Sequence, residues 1–137
     1  MSGGPLDGIR VIDMTTVVVG PICGRTLADQ GAEVIKIEPL SGEVVRQMGR
    51  DNCGITDVFL CCNRSKRSLS VDLKSEQGLR VVKRLLATAD VLVQNFRPGV
   101  IEKLGLSEQI VRAVCPDIIF VSISGVGETG PYSNLRT

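Results

Sequence analysis

The sequence contains no histidine. Within these 137 residues that excludes a His-based triad, an imidazole metal ligand and an imidazole acid or base. Tryptophan is also absent, and Phe59, Phe96, Phe120 and Tyr132 are the only aromatics, too few for the stacking platforms that hold single-stranded nucleic acid. A net charge of +1 supplies no excess of either sign, so no nucleic acid partner is expected. No apolar run approaches the roughly 20 residues that cross a bilayer, so no membrane partner is expected either. The opening MSGGPLDG has no basic stretch and no apolar stretch of the kind that directs secretion. The five cysteines, Cys23, Cys53, Cys61, Cys62 and Cys115, form no CxxC pair. Their number is odd and their spacing suits no zinc site, so they read as small reduced hydrophobes of a cytoplasmic chain with no metal.

What is present suits one α/β domain over residues 1–137. The chain is 43% hydrophobic, and at this length a domain buries roughly two-thirds of its unfolded surface. Four Val- and Ile-rich runs, Ile9–Met14, Glu33–Ile37, Val91–Val93 and Ile118–Ile123, read as strands apolar on both faces. Ser68–Leu73 alternates and reads as a half-exposed edge strand. Helices are expected over Pro21–Gln30, stopped by Gly31, and from an N-cap at Ser75 to about Thr88, with Leu79, Val82, Leu86 and Ala89 inward. A short helix over Val100–Leu104 ends at Gly105. Another follows a cap at Ser107, with Ile110, Val111 and Val114 inward. The expected fold is therefore α/β: an open, mostly parallel sheet with helices on both faces and right-handed crossovers. The stretch 40–63 is too long for a plain loop and predicts a short helix near Asp57–Cys61 or a functional excursion.

Charge is uneven. Residues 1–62 carry 5 basic and 8 acidic groups, and residues 63–137 carry 11 and 7. The segment NRSKRSLSVDLK (Asn63–Lys74) gathers Arg64, Lys66, Arg67 and Lys74, which suits either a solvated face or a phosphate-bearing ligand. Gly20 and Gly24 stand near the start of the first helix, but the GxGxxG fingerprint is missing, so Glu38 at the end of the second strand is a weak candidate for a ribose ligand. Asn95, Phe96 and Arg97 lie just past a strand, where open α/β sheets gather ligands. Phe96 also fits a core aromatic and Asn95 a turn residue. Gly125, Gly127 and Gly130 fit either close backbone approach or a flexible connection.

Taken in order, PLDGIRVID, the VGP turn, GAEVIKIEP, NRSKRSLSVDLK, ADVLVQNFRPGVIEKLG and SGVGETGPY resemble the N-terminal part of the class III CoA-transferases. That family includes formyl-CoA and carnitine CoA-transferases and the α-methylacyl-CoA racemases. The resemblance runs from about Pro5 to Arg136 and implies a Rossmann-like domain that handles coenzyme A or an acyl-CoA thioester. It implies that Val17, Val18 and Val19 lie along the CoA nucleotide and that Val71 and Lys74 border it. Asn95, Phe96 and Arg97 would contact the adenine and phosphate region, with Lys103 as a further cation. Pro39 departs from members that carry an arginine facing CoA there.

The resemblance also implies a limit. Family members are about three times as long and follow the GPY motif with a nucleophilic aspartate, which carries the acyl group through anhydride and thioester intermediates. Leu135, Arg136 and Thr137 end this sequence before that position. The expectation is a CoA-binding portion, incomplete relative to the family, with no catalytic residue of its own, unable to transfer acyl groups alone and prone to homo-oligomerise. A non-catalytic self-associating protein on the same fold and an enzyme completed by a second chain stay open as alternatives.

Overall fold

The computed structural model describes residues 3–52, 55–133 and 135. Cys53, Gly54, Arg136 and Thr137, all part of the sequence reading, lie outside the described residues. In chain order the elements are β1 (Arg10–Met14), α1 (Val19–Asp29), β2 (Glu33–Glu38), a 3-10 turn (Val44–Gln47), β3 (Asp51–Asn52) and β4 (Ile55–Thr56). Next come α2 (Asp57–Asn63), β5 (Arg67–Ser70), α3 (Glu76–Leu86), β6 (Val91–Gln94), α4 (Val100–Lys103), α5 (Glu108–Val114) and β7 (Ile119–Ser122).

Five strands form one sheet in the order β5-β2-β1-β6-β7, every pair parallel. Counting only these strands along the chain, the spatial order is 3-2-1-4-5, which is the Rossmann order. The order of strand addition therefore reverses between β1 and β6, parallel neighbours in the sheet that are not consecutive in the chain, and this marks the switch point. The short β3–β4 pair is antiparallel and separate.

Helix ends follow local chemistry. Ser75 Oγ accepts from the Gly78 N–H at 3.0 Å, with Glu76 in the first turn of α3 and Lys83 and Arg84 in its last. Thr56 Oγ1 and Ser107 Oγ cap α2 and α5 in the same way. Gly31 and Gly105 follow α1 and α4 at φ 103° and 71°, a region that a side chain disfavours.

Alternation along the strands sends side chains to two apolar layers. Ile12, Met14, Ile37 and Leu92 pack with Val82 and Leu86 of α3, Ile101 of α4 and Val111 of α5. Val11, Val34 and Val93 pack on the opposite face with Ala28 of α1 and Ala32. Helices thus cover both faces, as expected. Two expectations need correction. Strand β2 is not apolar on both sides: Lys36 and Glu38 share the face of Val34 and are buried at 1% and 2% exposure. On α5, Val111 is buried but Ile110 is exposed, because neighbours on a helix point about 100° apart and a seven-residue helix docked through one cannot bury both. The excursion holds α2 near its expected place, together with a 3-10 turn and a strand pair that no periodicity announced.

The two glycines of α1 have a packing role. A Cβ on Gly24 would lie 2.5 Å from Asp13 Oδ2, and one on Gly20 would overlap the Thr15 side chain. Their absence lets α1 rest directly on the end of β1. Gly24→Ala is expected to lower stability by about 1–3 kcal/mol through overpacking against a buried carboxylate, despite alanine's better helix propensity. Urea denaturation checks this, and an unchanged or raised midpoint would contradict it.

Candidate functional site

At the switch point, the turn after β1 meets the turn after β6. Between them lies a cleft of about 660 Å³. One wall is Thr16–Val19, the other Asn95–Pro98 with Val100, and the glycine-rich segment after β7 closes a third side through Ile123, Ser124, Gly125, Val126 and Gly127. This is where the carboxyl ends of parallel strands leave room for a ligand. Among the described residues the lining contains no carboxylate, and its one cation is the exposed Arg97.

The turn after β1 is strained. Val17 has φ 69°, the left-handed region that β-branched residues avoid, at a cost of about 1–3 kcal/mol. Two side chains hold it there. Asn95 brackets Thr16, accepting from its N–H at 2.8 Å and donating to its carbonyl at 2.9 Å. Glu43 accepts from the Val17 N–H at 2.6 Å. With the backbone so fixed, Val17, Val18 and Val19 present exposed side chains, 69% exposed in the case of Val19, where a helix begins whose first N–H groups no helical carbonyl can reach.

Behind the turn lies a buried set of three carboxylates and three cations. Glu43 Oε2 is 2.9 Å from Lys36 Nζ, which also donates to the Thr15 carbonyl at 2.8 Å. Lys66 Nζ donates to Asp13 at 2.6 Å, to the Pro21 carbonyl at 2.8 Å and to Asn63 Oδ1 at 2.9 Å. Arg46 donates twice to Glu38, at 2.7 and 2.8 Å, and stacks on the Phe59 ring. Burial pushes the Glu38 carboxyl up, but Arg46, Ser68 and the Glu43 N–H outweigh it and hold the pKa at about 2. Burial likewise pulls the Lys66 ammonium below its ordinary value, against the opposing pull of Asp13.

The sequence-derived site residues separate into two groups. Val17, Val18, Val19, Asn95, Phe96 and Arg97 come together on the cleft. Val71, Lys74 and Lys103 are not in its lining. Val71 is a core residue, 8% exposed, whose N–H bonds the Glu38 carbonyl. Lys74 and Lys103 are exposed at the start of α3 and the end of α4. The cation-rich segment is mostly spent internally: Arg64 pairs with Asp29, Lys66 with Asp13 and Arg67 with Glu33, and among the described residues Lys74 makes no ion pair. Glu43 and Lys36, which hold the turn from behind, were missed, and Lys66, read as a solvated or phosphate-binding cation, is instead buried on Asp13. The one available signal was a polar residue at alternate positions of β2. Among the described residues, no group of three or more His, Cys, Asp or Glu side chains could hold a metal ion, and no helix is long and apolar enough to cross a membrane.

Comparison with known proteins bears on this cleft. The profile of CoA-transferase family III matches residues 6–137. The chain is 43% identical over 130 residues to the succinyl-CoA–L-malate CoA-transferase beta subunit of Chloroflexus aurantiacus, covering 93% of this chain and 32% of that protein. It is 44% identical over 133 residues to the probable fatty acyl-CoA transferase Rv3272 of Mycobacterium tuberculosis, covering 95% and 34%. The crystal structure of Rv3272 superposes with a TM-score of 0.92 over 98% of this chain and 38% of that one. A CAIB/BAIF family protein from Brucella suis superposes at 0.91 with 41% identity, covering 96% and 36%. The chain spans about a third of the length of the curated relatives it matches.

The buried carboxylate Glu38 gives the fold an acid-sensitive component. Its pKa is lower folded than unfolded, so its contribution is complete above the unfolded value of about 4.5. It is lost as pH falls toward about 2, because the unfolded chain takes up the proton first. Glu38→Gln is expected to destabilise the protein at pH 7 and to flatten the fall in stability between pH 4.5 and 2. Denaturation midpoints across that range test this, and parallel curves for the two proteins would contradict it.

Proposed function

The chain belongs to CoA-transferase family III, and on that premise we propose that it is the N-terminal coenzyme A-binding portion of an acyl-CoA transferase. The ligand is CoA or an acyl-CoA thioester seated in the switch-point cleft. The observation that carries this reading is the convergence of two chain segments, Val17–Val19 and Asn95–Arg97, about 80 positions apart, on one apolar cleft of about 660 Å³. Val17, Val18 and Val19 form an apolar wall along the nucleotide. Phe96 offers a face to the base, Arg97 a fixed positive charge to a phosphate, and Asn95 holds the opposite wall in place. Lys74 and Lys103 serve as outlying cations, and Val71 borders the nucleotide from outside the described lining.

This portion binds and does not transfer. Acyl exchange by the covalent route needs a carboxylate beside the thioester, and the described lining has none. Residues 1–137 act as one α/β domain, cytoplasmic in setting, where the free thiols Cys23, Cys61, Cys62 and Cys115 stay reduced. Exposed apolar side chains, Leu40 at 72%, Val19 at 69% and Ile119 at 59%, favour association with further copies.

Isothermal titration tests the binding. CoA is expected to bind the wild type, Arg97→Ala to weaken it about tenfold through loss of a charge-assisted contact, and Lys74→Ala to weaken it less. Absence of both heat and thermal shift at millimolar CoA would remove the reading. Light scattering tests the association: a mass above 14.7 kDa that rises with concentration is expected, and a monomer throughout would contradict it.

A further inference from the structure

Glu43 is out of place as an ordinary excursion residue. It is 2% exposed, lies outside the cleft lining, and among the described residues of the 40–63 stretch it is the one charged side chain that is buried. Its backbone N–H donates to Glu38 Oε2 at 3.0 Å, which fixes the residue from one side. One carboxylate oxygen sits beside Lys36, and the other accepts from the Val17 N–H at 2.6 Å. Val17 is on the cleft wall, β-branched, and at φ 69°. A valine does not hold that conformation unaided, because its Cβ crowds the backbone there. A carboxylate aimed at its amide is the kind of contact that over-determines such a position.

We infer that Glu43 is a positioning residue for the ligand site: its carboxylate clamps the Val17 amide and so keeps the Val17–Val19 wall in its binding geometry. Lys36 serves the clamp by neutralising the carboxylate and aiming it. The binding half of this inference rests on the reading of the cleft as a CoA site, and the clamp itself does not.

Single substitutions of Glu43 would strand the Lys36 charge in the interior and could unfold the chain. The test therefore uses paired variants of the 137-residue chain. Lys36→Met with Glu43→Gln keeps an acceptor for the Val17 N–H and leaves no orphan charge. Lys36→Met with Glu43→Leu keeps similar volume and removes the acceptor. By titration, the Gln pair is expected to bind CoA within threefold of wild type and the Leu pair at least tenfold more weakly. A merely structural role, which needs volume and no acceptor, would not separate the Gln pair from the Leu pair. Equal CoA affinity of the two pairs overturns the inference.

Amide hydrogen exchange at residue 17 supplies a reading free of ligand. Protection is expected in the wild type and the Gln pair, with exchange at least tenfold faster in the Leu pair. If wild type binds no CoA, the proposed function fails while this measurement still decides the clamp: equal exchange in the two pairs overturns it. Should the Leu pair be unfolded by circular dichroism, the Gln pair against wild type decides, and loss of Val17 protection in a folded Gln pair overturns the clamp while retained protection supports it.

Discussion

The Glu43 carboxylate reaches from the excursion to the amide of Val17, 2.6 Å away, while Lys36 stands 2.9 Å from its other oxygen. Around this contact, Asp13, Glu38, Lys66 and Arg46 complete a set of six charges that is neutral overall. Neutrality matters because four of the six are at most 2% exposed and the Lys66 side chain is at 1%. Breaking one such pair by removing a single partner typically costs about 3–5 kcal/mol, more than most contacts in a domain. The set ties together the ends of β1 and β2, the start of α1, the 3-10 turn and the link from α2 to β5. Removing it would leave Asn95 as the one described side chain that hydrogen-bonds the Thr16–Val17 backbone.

That arrangement gives the excursion its purpose. A stretch of more than 20 residues between β2 and β5 is costly in chain entropy unless it does something. Here it supplies Glu43 and Arg46 to the charge set, Phe59 as a face for Arg46, and Asn63 as a partner for Lys66. The glycines of α1 serve the same end from above. Gly24 lets the helix backbone lie against Asp13, and Gly20 lets it pass Thr15, whose N–H and hydroxyl both donate to Asp13. A sequence pattern that fails as a dinucleotide fingerprint is thus explained by close helix-on-strand packing.

Much of the sheet was legible in the sequence. Valine and isoleucine runs bounded by glycine, aspartate or serine marked four strands of the main sheet, alternation over Ser68–Leu73 marked the fifth, and Ser75, Ser107, Gly31 and Gly105 marked helix ends, because these are local effects of backbone conformation and hydrogen bonding. Six of the residues that line the cleft, Val17–Val19 and Asn95–Arg97, were also assigned to a ligand site from the sequence, partly from their place after strands and partly from the resemblance. What stayed hidden was long-range. Asp13 and Lys66 are 53 positions apart, and nothing local indicates that one will neutralise the other. The same blindness made Arg64, Lys66 and Arg67 look available to a ligand when each is engaged within the chain. The β3–β4 pair was missed because two-residue strands carry no period.

The account stands on the claim that the turn after β1 and the turn after β6 face one another across a cradle for a CoA nucleotide. A crystal structure of the chain grown with saturating CoA tests this most directly. The account predicts nucleotide density between Val17–Val19 and Phe96–Arg97, with Val17 still at positive φ and its amide on Glu43. Density bound elsewhere on the chain, or an empty cleft at a ligand concentration that saturates binding in solution, would contradict it.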